Sequence, residues 1–145
     1  MNTKKTVNIK NQYYKDKLLT LLLSGVILPS QISLIEVKEI LSDSYLLRRV
    51  GYNNHKLGYI FAISDSENIQ RLILENKIIR ELVIEPKGVT MAHIIAENPA
   101  SHHIKEMIKN DKQIYSIENY NNETVLLYLN FYLSSTEQIH TMLRE

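Results

Sequence analysis

Cysteine and tryptophan are absent, and glycine and proline are scarce, at 4 and 3 of 145 residues. Without cysteine there is no disulfide framework, no thiolate nucleophile and no sulfur-ligated metal site. So few glycines leave little material for a phosphate-cradling loop, and no G-x-S-x-G, paired-cysteine or kinase-like signature occurs. Neither sign of charge dominates: 17 basic and 16 acidic residues are scattered along the chain, for a net charge of +1. That balance lacks the basic footprint of a nucleic-acid surface. Long apolar runs are missing too. The longest, 18–28, is interrupted by Thr20, Ser24 and Gly25 and is too short to span a bilayer; with Asp16 ahead of it, it makes a poor secretory signal. The expectation is a single non-membrane domain without cofactor, in the cytoplasm, or in a host's cytoplasm if the chain is a secreted effector.

What is present is a stretch at 88–96, G-V-T-M-A-H-I-I-A, that reads as a turn followed by a capped apolar helix. Gly88 suits a left-handed turn, and Thr90 can accept a backbone N–H at the helix start. Residues 54–62, N-H-K-L-G-Y-I-F-A, align with it without a gap at an offset of 34, and 122–130, N-E-T-V-L-L-Y-L-N, follow at another 34. The turn positions are then Asn54, Gly88 and Asn122, all types that enter the left-handed region at low cost. Lys56 and Tyr59 fall where the central copy has Thr90 and His93.

Second helices follow. Ser33 and Glu36 form an S-x-x-E capping box ahead of a helix at 34–41. Ile69, Leu72 and Ile73 give helical spacing up to Asn76, read as a left-handed helix end, and another helix runs from about Ser101 to Lys109, ending at Asn110. Ser134 and Glu137 make a further capping box before 138–144, so that the chain ends in a helix pair. Residues 45–52 and 78–88 read as projecting arms, with turns at Gly51 and Gly88. Upstream, 14–25 can be laid over the same pattern, with Asp16 at the cap, Leu18 and Leu21 on the buried stripe and Gly25 as a left-handed helix end. Residues 1–12 are polar, Lys-rich and aperiodic, and are expected to be a mobile arm preceding a repeat domain at 13–145.

The G-x-T-M-A-H copy at 88–96, with Met91 where proline is usual, resembles the first half of an ankyrin repeat. The resemblance covers about 14–145 and implies an all-α, ankyrin-like solenoid of about four repeats, helix pairs stacked and joined by hairpin-like loops. It also implies that His93 braces neighbouring repeats. The implied function is non-catalytic binding of a protein partner, as adaptor, effector or inhibitor, through hairpin tips and the concave face of the first helices. On the tips this nominates Arg80, Glu81, Glu85, Lys87, Tyr115, Glu118 and Tyr120, and on the concave side Ile60, Ile94, Glu97 and Tyr128.

Two other chemistries compete. His93 and Glu97 share a helical face and His102 and His103 lie nearby, but adjacent histidines diverge on a helix and no H-E-x-x-H spacing occurs, so no metal site is expected. Residues 33–52 hold two helical stretches joined by Ser42, Asp43 and Ser44 and followed by Arg48 and Arg49, the outline of a helix-turn-helix in a small DNA-binding regulator. Only that arginine pair and Lys38 supply positive charge there, so nucleic acid is not the expected partner. Neither is enzymatic activity expected.

Overall fold

The computed structural model describes residues 3–51 and 53–133, with residues 3–11 by their backbone alone. It is predominantly helical. In chain order come α1 (Thr3–Leu23), a 3-10 turn (Pro29–Gln31), α2 (Leu34–Leu41), α3 (Ser44–Leu47), α4 (Leu57–Ala62), α5 (Glu67–Glu75) and α6 (Lys77–Arg80). A two-stranded antiparallel hairpin follows, β1 (Val83–Glu85) and β2 (Val89–Thr90), then α7 (Met91–Glu97), α8 (His102–Asn110) and α9 (Lys112–Tyr115). Residues 125–133 belong to a last helix, α10.

The same local solution recurs down the chain. A hairpin bridge joins Val50 to Lys56, Val83 to Thr90 and Glu118 to Thr124. Inside these hairpins Asn54, Gly88 and Asn122 sit at φ of 60°, 77° and 61°, so the three aligned turn residues all take the left-handed backbone. Each hairpin hands directly to a helix whose first N–H reaches back across it: Leu57 donates to the Arg49 carbonyl, Met91 to Leu82 and Val125 to Ile117, at 2.8, 3.1 and 2.9 Å. The second helices α2, α5 and α8 start at serine caps, with Ser33, Ser66 and Ser101 accepting from the N–H three residues on. The Ser33–Glu36 capping box forms as the spacing predicts.

Several expectations are corrected. α1 starts at Thr3 and runs through Asp16, which accepts a bond from Gln12 within the helix instead of capping one; residues 3–12, expected to be an arm, lie in that helix. Gly25 does take a left-handed conformation, at φ 77°. Asn76 does not: at φ −108° it is extended and caps α6 by accepting from the Ile79 N–H. Asp43 and Asp111 cap α3 and α9 in the same way. What reads in sequence as long projecting arms is therefore, each time, a one-turn helix and then a short hairpin. The box at Ser134 and Glu137 lies outside the described residues.

Burial follows the repeat. Leu57, Met91 and Val125 are buried in register, as are Phe61, Ile95 and Leu129, giving one continuous apolar core from Leu18 of α1 to Leu129 of α10. Gly51 is required by close approach: a Cβ there would stand 2.3 Å from the Leu23 carbonyl oxygen, so the first hairpin seats on the end of α1 only without a side chain.

Candidate functional site: the hairpin tips and the first-helix face

His93 is fully buried and both its ring nitrogens are engaged. Nδ1 accepts from the Thr90 N–H at 3.3 Å and lies 2.8 Å from the Thr90 hydroxyl, which itself accepts from the His93 N–H. Nε2 stands 2.9 Å from the Glu123 carbonyl oxygen of the next hairpin. A carbonyl only accepts, so Nε2 carries the proton and Nδ1 is the bare acceptor of a neutral ring. Burial pushes the His93 pKa below its usual range, against the opposing pull of the Glu123 carbonyl and carboxylate. The Tyr128 ring packs edge-on against the imidazole at 4.7 Å. With both nitrogens committed, His93 has no lone pair for a metal. Among the described residues, no group of three or more His, Asp or Glu side chains gathers. His102 and His103 instead pair separately with Glu106 and Glu67.

Of the nominated tip residues, Glu81, Lys87, Glu118 and Tyr120 are exposed and Glu85 is half-buried. Tyr120 is 75% exposed, yet it is anchored: its N–H donates to the Lys87 carbonyl at 2.7 Å, and its ring lies over Gly88, where an added Cβ would stand 2.4 Å away. Between these two tips opens a groove of about 380 Å³, lined by Glu81, Thr90, Gln113, Ser116 and Tyr120 among others.

Two of the nominated tip residues do not project from the hairpins. Arg80 is only 7% exposed and donates through Nη1 to the Leu74 carbonyl at 2.9 Å. It occupies the place after the cap that Leu47 holds in α3, and its charge serves the open carbonyl end of α5, although Nε has no partner. Tyr115 belongs to α9 and packs against the core rather than projecting.

On the first-helix side Ile94 is also corrected. It is 1% exposed and belongs to the buried core. Ile60 is half-buried, and Glu97 reaches solvent at the end of α7. Tyr128 is half-buried, its hydroxyl accepting from Asn119 Nδ2 at 3.2 Å. Burial, and secondarily the charge of Glu85, raise the Glu97 pKa. Burial likewise raises Tyr59, with the charges of Glu85 and Glu97 adding to it, and raises Tyr128 against the opposing Asn119 hydrogen bond, with the charge of Glu123 adding more than those of Glu97 and Glu85. Tyr59, at the position that His93 holds in the next unit, is half-buried on α4 and stacks on His55 at 4.5 Å.

Residues 33–51 hold α2, the single turn α3 with Leu47 buried, and Val50, which bridges to Lys56. A four-residue helix is too short to lie along a major groove as a reading element. Among the described residues no helix is long and apolar enough to cross a membrane. No family model matches the chain, and no curated protein or solved structure shows significant similarity to it.

Proposed function

We propose that the chain is an ankyrin-like solenoid that binds a protein partner without catalysing a reaction, through its hairpin tips and the concave face of its first helices. The observation that carries the reading is the recurrence, every 34 residues, of one left-handed turn position at Asn54, Gly88 and Asn122 feeding one hairpin and one helix. Units of this kind bury their apolar faces only on neighbours and leave turns and one helix face as a continuous solvent-facing surface, the usual binding surface of repeat proteins. Tyr120, exposed but held over Gly88, suits such a role, because an aromatic anchor already fixed in place loses little entropy on binding. Its role is that of an adaptor, effector or inhibitor.

The test is affinity capture of a partner from the native source, followed by binding measurements with the purified pair. Tyr120→Ala combined with Glu118→Lys should weaken that complex by about tenfold or more while leaving the thermal unfolding curve in place. Tip and first-helix substitutions that leave every captured partner unaffected would remove the binding assignment.

A further inference from the structure

A larger groove, of about 450 Å³, opens between α1 and the start of α2. Tyr14, Lys17, Leu18 and Leu21 form its α1 wall, at the spacing that puts four side chains on one helical face. Ile27, Ile32 and Glu36 stand on the other wall. Gly25, in its left-handed conformation, reverses the chain after α1. The returning segment is then tied to the helix, because the Val26 and Ile27 N–H groups both donate to the Leu21 carbonyl, at 3.0 and 3.3 Å. The lining is mostly apolar.

One charge on these walls is unmatched. Glu36 Oε1 is committed to the capping box, accepting from the Ser33 hydroxyl at 2.8 Å and the Ser33 N–H at 3.2 Å. Oε2 is shut off from solvent and accepts no hydrogen bond. The Ser33 hydroxyl, and after it the nearby Tyr14 hydroxyl, hold the carboxyl below its usual range against the effect of burial, so it is ionised at neutral pH. Tyr14 shares the groove but completes no bond to Oε2. Neither Glu36 nor Lys17 takes part in any ion pair among the described residues.

A desolvated anionic oxygen without a donor is costly. A water molecule would supply a hydrogen bond but no compensating charge, and would leave the apolar walls bare. An ammonium group on an apolar body answers both: donor and charge reach Oε2, while the body covers Leu18, Leu21, Ile27 and Ile32. The Tyr14 ring adds an aromatic surface favourable to a cation. The volume falls within the range of small-molecule sites, about 300–1,000 Å³.

We propose that the groove between α1 and α2 binds a small amphipathic amine, with its ammonium on Glu36 Oε2 and its hydrocarbon part between Leu21 and Ile32. The site shares no residue with the surface nominated for a protein partner and does not rest on that reading.

An NMR titration of the full chain tests it, with phenethylamine as the probe and phenethyl alcohol as its neutral counterpart. The amine should shift the amides of Leu18, Leu21 and Ile32 saturably in the millimolar range or below, and the alcohol should bind at least about tenfold more weakly. Glu36→Gln keeps the capping box, since glutamine also serves at that position. It should weaken the amine about tenfold and leave the alcohol unchanged. Lys17→Met should tighten the amine by removing a like charge, and Leu21→Trp should fill the groove and abolish both ligands, with each variant confirmed folded by circular dichroism. An acetylated peptide carrying one lysine between alanines should bind at least about tenfold more weakly than the amine; equal binding would make the groove a seat for a side chain and overturn the small-molecule assignment. It is also overturned if the amine binds no tighter than the alcohol, if Glu36→Gln binds it as well as the parent chain, or if no saturable shift appears at about 10 mM amine.

Discussion

His93 illustrates how one side chain can couple two stretches of chain 30 residues apart. Its backbone and Nδ1 close the start of α7 through Thr90, while Nε2 holds the third hairpin at Glu123. His93→Ala leaves the Thr90 N–H and the Glu123 carbonyl without their partner and opens a cavity under Tyr128. The expected cost is roughly 2–4 kcal/mol in urea unfolding; a loss below about half of one would remove the brace role. The sign of the pH effect follows from the depressed pKa. Below the ordinary value of 6.5 the unfolded chain takes up a proton that the folded chain refuses, so the contribution of His93 is present above 6.5 and is lost as pH falls toward the folded value. The thermal midpoint should decline from pH 7.5 to 5, and His93→Phe should flatten that slope. Glu97 behaves oppositely. Its pKa is raised above 4.5, so the folded state is penalised as pH rises through the folded value. Glu97→Gln should therefore raise the midpoint at pH 7, with the gain vanishing below about pH 4.5. A lowered midpoint at pH 7 would contradict the crowded carboxylate.

At the scale of the element, the hairpin turn decides where each helix begins. Gly88 combines a φ of 77° with a ring of Tyr120 that leaves no room for a Cβ. Gly88→Ala therefore carries both a backbone and a steric cost, together roughly 1–3 kcal/mol. In a double-mutant cycle Tyr120→Ala should recover the steric part and leave the backbone part. Strict additivity would show that the ring does not rest on the turn. Such turns were legible in the sequence because a left-handed backbone restricts residue type at one position, and Asn54, Gly88 and Asn122 carry that restriction visibly. Of the capping serines, Ser33 was legible through its S-x-x-E spacing, whereas Ser66 and Ser101 lack that partner residue. The one-turn helices were not legible, since four residues give no period and Asp43, Asn76 and Asp111 resemble ordinary loop residues. Nor was the start of α1, whose first residues lack any apolar stripe. Arg80 misled because charge alone reads as exposure, while its burial depends on a carbonyl of α5 brought close by the chain reversal. On the first-helix face, the positions of Glu97 and Tyr128 follow from the 34-residue register.

For the whole molecule the question is what makes successive units unfold together. Gln70 stands in the second helix α5 and is fully buried. Its Nε2 donates to the Ala62 carbonyl at 2.8 Å and the Asn98 carbonyl at 3.0 Å, and its Oε1 accepts from the Ala100 N–H at 2.7 Å. One amide thus ties the α4–α5 connection of its own unit to the α7–α8 connection of the next. On the outer edge, Glu67 reinforces the same junction by accepting from Ser101 and His103 at 2.6 and 2.8 Å, in a solvent-exposed and hence weaker contact. Gln70→Leu strands two carbonyls and an N–H that have already left water, so it should cost roughly 2–4 kcal/mol despite the added apolar burial. In the proposed repeat array, stability is the sum of unit and nearest-neighbour terms, so the loss should fall on the junction. The urea transition should broaden, with a smaller m-value, and amides of α8 and α10 should lose hydrogen-exchange protection before those of α4. If Gln70→Leu lowered stability with an unchanged m-value and uniform loss of protection, the junction would be held by the apolar core alone.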